Sequence, residues 1–284
     1  MAHFFRQEGA KLRHRALIGG MYVTPERRGQ GIGKALLDRC IQHAPFGSYT
    51  APSAPVQTVP LPAGLPKPVA RFYRQTYGDE VPVYHSAVIS GRGTARLAGI
   101  TFPTRLRFSY DAGQAYRHYI EPTFYGIPVL KVNDHYLDGH GRVDLQFQVQ
   151  EGPGVDSASN QGLWVEMFAF PSVYVTDPRV RWEAVDDTTA RMYAPFGAGE
   201  QMYTLTFDPL TGGLVRMETM RAYDNKGGKM RWWGEIVTGK GRDDQPTTYI
   251  TATWENEVTP WLVYEMEETV FNSDVSDYIR QTGP

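Results

Sequence analysis

Over residues 142–150, Val143, Leu145, Phe147 and Val149 alternate with Arg142, Asp144, Gln146, Gln148 and Gln150. That is the period of a strand with one face on a core and the other in water. The alternation recurs. Leu106, Phe108 and Tyr110 alternate with Arg105, Arg107 and Ser109; Val180 and Trp182 with Arg179, Arg181 and Glu183; Tyr203, Leu205 and Phe207 with Thr204 and Thr206. Less regular strand patterns cover residues 83–96, 115–121, 188–194, 214–223, 229–238, 247–254 and 262–271. Turn chemistry separates the runs: Asp138-Gly139, Asp208-Pro209 with Gly212-Gly213, and Asn225 followed by Gly227 and Gly228. Short strands at this spacing predict a meander that curls into a barrel or half barrel.

Two segments carry a helical period instead. Val69, Phe72, Tyr73 and Thr76 predict a short helix over residues 69–77, ahead of the sheet. Over residues 157–170, Leu163, Met167 and Phe170 fall on one helical face with Trp164 and Phe168 beside it; Ser159 or Asn160 is a candidate N-cap, and Pro171 the stop. One apolar helix inside a meander is expected across the concave face of the sheet. The predicted fold for residues 68–284 is therefore mainly β (α+β), a curved antiparallel sheet or half barrel with one helix across its concave face.

Upstream the pattern changes. Pro45, Pro52, Pro55, Pro60, Pro62, Pro66 and Pro68 fix φ and remove backbone donors, so residues 45–67 are read as a partly extended linker. Residues 1–44 read as one short strand-turn-helix fragment: a strand over 16–23, a glycine-rich turn over 24–33, and a helix over 34–44 with Ala35, Leu36, Leu37 and Ile41 on its apolar side. Such a fragment cannot bury its own apolar face.

Charge and cysteine narrow the setting. The net charge of −2 divides unevenly: residues 1–44 carry eight basic side chains against Glu8, Glu26 and Asp38, a balance of +5 that leaves −7 for the rest. A basic N-terminal piece suits a phosphate-bearing partner. It has neither a recognition helix nor interleaved aromatics, so nucleic acid is not the expected partner. Cys40 is the single cysteine, which permits no internal disulfide and fits a reducing compartment. The apolar run 16–23 is broken by Gly19 and Gly20 and reads neither as a signal peptide nor as a membrane span. A cytoplasmic protein is expected.

One motif carries specific chemistry. Residues 21–37, MYVTPERRGQGIGKALL, resemble the acyl-CoA-binding motif of the GNAT N-acetyltransferases: Gln or Arg, two residues, Gly, one residue, then Gly or Ala. Here it maps onto Arg28, Gly29, Gln30, Gly31, Ile32 and Gly33, flanked by the strand residues Met21 and Val23 and by Lys34 and the helix. The glycines let the backbone approach a pyrophosphate, and the amides opening the helix point at the anion. The resemblance implies acetyl-CoA as cofactor, held by Met21, Val23, Arg28, Gly29, Gln30, Gly31, Gly33 and Lys34. It covers only residues 15–44, a fraction of a whole acetyltransferase domain, and no position matches that family's general base or leaving-thiolate acid. N-acetyl transfer by this fragment alone is not expected; a relic, a fusion fragment and half of a site completed elsewhere all stay open.

The other chemistry-bearing residues have simpler readings. Asp134, His135, Asp138 and His140 could ligate a metal, but Asp138-Gly139 is what a type I′ turn demands, and no metal is expected. Asp186 and Asp187 near Glu183, with Glu166 on the helix, could be paired carboxylates; a turn explains the two aspartates equally well. Trp164, Phe168, Trp182, Met192, Tyr203, Met217, Trp232 and Trp254 are core in a closed sandwich, or cavity lining in a half barrel.

The stretch 163–215, GLWVEMFAFPSVYVTDPRVRWEAVDDTTARM and onward to the turn at Phe207-Asp208, resembles a bacterial family of unknown function whose members look like the half-barrel lipoprotein-carrier fold. That resemblance implies non-enzymatic binding of an apolar or acyl small molecule. The competing reading is N-acetyl transfer from acetyl-CoA. Ligand identity, oligomeric state and catalytic residues stay open at this level.

Overall fold

The computed structural model describes residues 3–6, 16–19, 56–241 and 244–281, and the chain divides into two compact units, 1–50 and 51–284. In the first, β1 (His3–Arg6) pairs antiparallel with β2 (Ala16–Gly19), Phe4 opposite Ile18. The second strand falls inside the strand predicted over 16–23; its partner was not predicted. Met21, Val23, Arg28, Gly29, Gln30, Gly31, Gly33 and Lys34 lie outside the described residues, as do the turn 24–33 and the helix 34–44.

The second unit opens with β3 (Thr58–Pro60), α1 (Lys67–Tyr77) and β4 (Glu80–Pro82). Part of the proline-rich stretch read as linker is thus paired: Val59 lies opposite Val81 in a two-stranded ribbon. The ribbon suits prolines because it has no second neighbour that needs their missing donors. The helix buries Val69 and Tyr73; Tyr73 donates its hydroxyl to the Pro171 carbonyl at 2.6 Å, and Phe72 meets Phe207 at 5.7 Å.

One large antiparallel sheet follows. Its first arm is β5 (Ser86–Leu97), β6 (Ile100–Asp111), β7 (Ala115–Phe124) with the short β8 (Ile127–Pro128), β9 (Val132–Leu137), β10 (His140–Leu145) and β11 (Gln148–Glu151). The chain then crosses through α2 (Pro153–Glu166), a 3-10 turn at Met167–Ala169 and α3 (Val173–Thr176). The second arm is β12 (Arg181–Ala184), β13 (Thr189–Phe196), β14 (Gly199–Phe207), β15 (Leu214–Ala222), β16 (Lys229–Lys240), β17 (Pro246–Trp254) and β18 (Leu262–Phe271), and α4 (Ser276–Ile279) ends the unit. The strand order is β11-β10-β9-β7-β6-β5-β18-β17-β16-β15-β14-β13-β12, so the first and last long strands are neighbours and β11 and β12 are the free ends.

Curvature follows from what α2 touches. It packs on β9, β10 and β11 of one arm and on β13, β15 and β16 of the other. Five strands separate β9 from β16 in the sheet. One helix can reach both sets only if the sheet curls around it, which makes the domain an open half barrel with the helix on its concave face, as expected.

Two local expectations are corrected. The alternation over 142–150 is not one strand: it folds back at Gln146-Phe147, with Leu145 opposite Gln148, and Phe147 is exposed at the tip. A two-residue turn preserves period two across itself, and neither turn residue has the positive φ that marks Asp138 (53°) and Gly139 (86°). The helix predicted over 157–170 starts earlier. Gly152 (φ 120°) and Pro153 open it, so Ser159 and Asn160 are not caps but buried residues of its interior. Asn160 donates to the Tyr136 hydroxyl at 3.2 Å. Gln161 donates to the Met220 carbonyl at 2.7 Å and accepts from the Ala222 amide at 3.1 Å, where β15 has run past its pairing with β14.

The seam between the two arms is tight. A Cβ on Gly93 would lie 1.8 Å from the Val263 carbonyl oxygen, and one on Gly91 2.3 Å from that of Glu265. Gly93→Ala is therefore expected to destabilise the domain by about 1–3 kcal/mol or more, as overpacking does. Gly199→Ala, whose new atom meets nothing closer than 3.8 Å, serves as the near-neutral control. Denaturant unfolding of the two variants checks this, and equal midpoints would show that the seam yields.

Candidate functional site

Beneath the C-terminal half of α2 the concave face is filled. Trp164, Phe168, Met192, Tyr203, Met217 and Trp232 are all buried, so these residues are core. Trp182 is half-buried and donates its indole N–H to the Tyr174 carbonyl at 3.1 Å. Trp254 differs from the rest, because it lines a cleft.

That cleft has a volume of about 670 Å³. One wall is the first arm, with Ile120, Val132 and Val143; the other is the start of α2, with Val155 and Ala158, and the β15–β16 turn; Trp254 and Trp261 stand across from them. The volume lies within the range of small-molecule pockets. The hairpin tips after β7 and β10 carry Tyr125 and Phe147, which are 91% and 88% exposed. Among the described residues no helix is long and apolar enough to cross a membrane.

Polar groups enter this apolar wall at defined points. Asp134, on β9, accepts a hydrogen bond from the Tyr116 hydroxyl at 2.8 Å. Arg221, on β15, places its guanidinium 4.1 Å from the Trp232 ring and 5.6 Å from that of Trp254. Deeper in the core, His118 Nδ1 lies 2.9 Å from a Glu166 carboxylate oxygen, and the imidazole stacks 4.0 Å from the Tyr116 ring. This pair is not a reactive centre. His118 is 2% exposed, and the void beside Glu166 is about 10 Å³, room for about one water and no substrate.

The sequence-derived candidates separate. Strand alternation sends Asp134 and His135 to opposite faces of β9, and among the described residues no three His, Cys, Asp or Glu side chains converge as a metal site. Asp186 caps its own turn, accepting from the Thr188 amide at 2.8 Å; Asp187 pairs with Lys67 at 2.9 Å; Glu183 holds Arg191 and the Tyr193 hydroxyl. Glu166 meets His118 and not these carboxylates. Sequence reading missed His118 and Arg221. The available signal was a charge in the inward register: His118 stands between Tyr116 and Ile120, and Arg221 follows Met217 and Thr219 on the buried face.

Residues 55–266 match the model of a family of unknown function, DUF6544. The chain belongs to this family. Residues 2–76 also match the model of the GNAT acetyltransferase domain, a longer stretch than the 15–44 motif. No curated protein matches the chain. Among solved structures it is similar to a putative outer membrane lipoprotein-sorting protein domain from Vibrio parahaemolyticus, at 9% identity and a TM-score of 0.38, covering 75% of this chain and 93% of that one. It is also similar to a DUF1329 family protein from Desulfovibrio piger, at 12% identity and a TM-score of 0.40, covering 75% and 94%.

The cleft wall makes one electrostatic demand of its own. Burial, reinforced by the nearby Glu166 carboxylate, pushes the Asp134 carboxyl above its usual range, against the opposing pull of His118, Arg221 and the Tyr116 hydrogen bond. The folded chain thus retains a proton that an unfolded Asp, with pKa about 3.9, has released. The contribution of this group to stability therefore falls as pH rises from about 4 through the raised pKa. Asp134→Asn keeps an acceptor for Tyr116 and removes the charge. It is expected to melt higher than the parent at pH 7 and to converge with it near pH 4; parallel melting curves at both pH values would show that the buried carboxyl carries no penalty.

Proposed function

We propose that the β domain binds an apolar or acyl-chain small molecule in the cleft between the start of α2 and the sheet, without converting it chemically. The observation that carries this reading is an open cleft of about 670 Å³, walled by apolar Ile120, Val132, Val143, Val155, Trp254 and Trp261 with polar residues of β11 and the β15–β16 turn among them, next to an otherwise filled core. The cleft walls are strands of both arms, the start of α2, the β15–β16 turn and Trp261 of the loop before β18. Transfer of an alkyl chain into the cleft gains about 0.8 kcal/mol per buried methylene.

Trp254 and Trp261 on the wall make occupancy visible in intrinsic fluorescence. Laurate or 1-dodecanol is expected to change that emission saturably. At a hundred times the Kd it should stabilise the domain by about 2.7 kcal/mol, a rise in Tm of several degrees. Ala158→Phe projects a ring into the cleft from α2 and is expected to abolish both effects while leaving the unliganded Tm within a few degrees. Unaltered ligand response in that variant would place binding elsewhere.

A second reading is favoured by the GNAT match over residues 2–76. In it, Arg28, Gly29, Gln30, Gly31, Gly33 and Lys34 hold the pyrophosphate of acetyl-CoA, with Met21 and Val23 alongside the pantetheine arm. Full-length protein is then expected to show a CoA-dependent rise in Tm that Arg28→Glu removes. A melt indifferent to CoA would dismiss this reading and leave the first untouched.

A further inference from the structure

The cleft holds a cation that no acid pairs with at contact distance, although Asp134 is near enough to feel its charge. Arg221 reaches inward from β15, its Nε buried and without a hydrogen-bond partner, and no ion pair engages it among the described residues. Its position is prepared from three sides. The rings of Trp232 and Trp254 flank the guanidinium, and α2 presents Gly162, where a Cβ would come within 3.2 Å of a terminal nitrogen. Cation–π contact holds a guanidinium in place while leaving its in-plane N–H groups free to donate.

The acids in the same wall are occupied. Glu151 pairs with Arg142 at 2.7 Å. Asp224 accepts the amides of Lys226 and Gly228 within its own turn, at 2.8 and 2.9 Å. Asp134 accepts from Tyr116, and burial favours its neutral form. A guanidinium oriented by two indoles and held by no ion pair, with Asp134 interacting beyond contact distance and pushed by burial toward its neutral form, is an arrangement that an oxyanion completes, since Arg meets carboxylate and phosphate with a planar fork of donors.

We propose that Arg221 anchors the headgroup of the ligand, so that the cleft takes a single-chain amphiphile ending in a carboxylate or phosphate monoester, its chain lying along Ile120, Val132, Val143 and Val155. This rests on the reading of the cleft as a binding site and adds the polarity and charge of what occupies it. The indole pair then has a task beyond packing: it keeps the cation from collapsing onto Asp134.

Full-length protein titrated with laurate, dodecyl phosphate and 1-dodecanol, followed by tryptophan fluorescence and calorimetry, tests it. At least one of the two anions is expected to bind tenfold or more tighter than the alcohol, roughly the worth of a charge-assisted hydrogen bond. In Arg221→Gln the preference should collapse to near parity while dodecanol affinity holds. Gly162→Ala keeps every charge but crowds the guanidinium, and should cut the preference without touching the alcohol. If Arg221→Gln does not fold, the wild-type ratio and the Gly162→Ala ratio still decide. Whichever anion is preferred names the headgroup, and either supports the proposal. Equal binding of all three by the wild type, or a preference that survives Arg221→Gln, overturns it with the cleft reading intact. No binding by any probe overturns both.

Discussion

The arrangement of the whole domain depends on one close approach, that of β5 to β18. These are the first and last long strands of the sheet, so their ladder closes a contact across more than 160 residues of chain. Everything between them is nearest-neighbour hairpins, apart from the crossing through α2. A seam of this kind is the slow, non-local pairing of the fold, because its loop-closure entropy is met before its hydrogen bonds form. Gly91 and Gly93 are the local condition for it: with a Cβ at either, a carbonyl of β18 would lie inside contact distance. The ladder also shifts register between Met266 and Glu268, a bulge that bends the strand just past the glycines. Bending there turns two flat meanders into arms that face each other.

Once the arms face each other, the helix has a fixed task. It must satisfy polar backbone as well as apolar surface, because the strands it covers do not all run on beside one another. Gln161 serves as a substitute strand edge for Met220 and Ala222, and the Asn225 side chain ties the Gly154 amide to the Glu151 carbonyl at the start of the helix. Buried Ser159, Asn160 and Gln161 therefore make the helix face more polar than an amphipathic helix on a single sheet would be. This is why it breaks an apolar pattern and still packs.

Most of the sheet was legible because it obeys period two. Leu106, Phe108 and Tyr110 point inward as written, and the positive φ of Asp138 and Gly139 is the turn their identities predict. What the pattern could not show was any turn without a conformational signature, as at Gln146-Phe147, where alternation continues across the fold-back. The helix start was hidden for a related reason: Gly152-Pro153 is a loop signal by composition and a helix start only in the context of Asn225. The strand pairing that brings β5 beside β18 is invisible to any local window. So is the site, since the wall of the cleft combines Asp134, Ala158, Arg221 and Trp254, residues that become neighbours only through that pairing. Trp254 was legible as a candidate lining residue, and Arg221 left a local trace that went unread, a cation in the register of Met217 and Thr219.

The position of the cleft follows from the taper of α2. Its first half is small or slender on the inner side, Gly154, Val155, Ala158 and Ser159, while its second half and the following turn carry Leu163, Trp164, Val165, Met167 and Phe168, all buried. The bulky end packs fully, and Val155 and Ala158 of the slender end line the cleft. The helix start is pinned: a Cβ on Gly141 of β10 would lie 2.6 Å from the Val155 carbonyl oxygen, the Gly141 amide donates to Asp156 at 2.7 Å, and Asn225 tethers the Gly154 amide. The gap bounded by Ala158, Arg221 and Trp254 is thus set by small residues on a helix whose start is already pinned. Ala158, which lines the cleft, is the position from which a larger side chain would fill it; Gly154 is not, since a Cβ there would lie 2.1 Å from the Asp224 carbonyl oxygen.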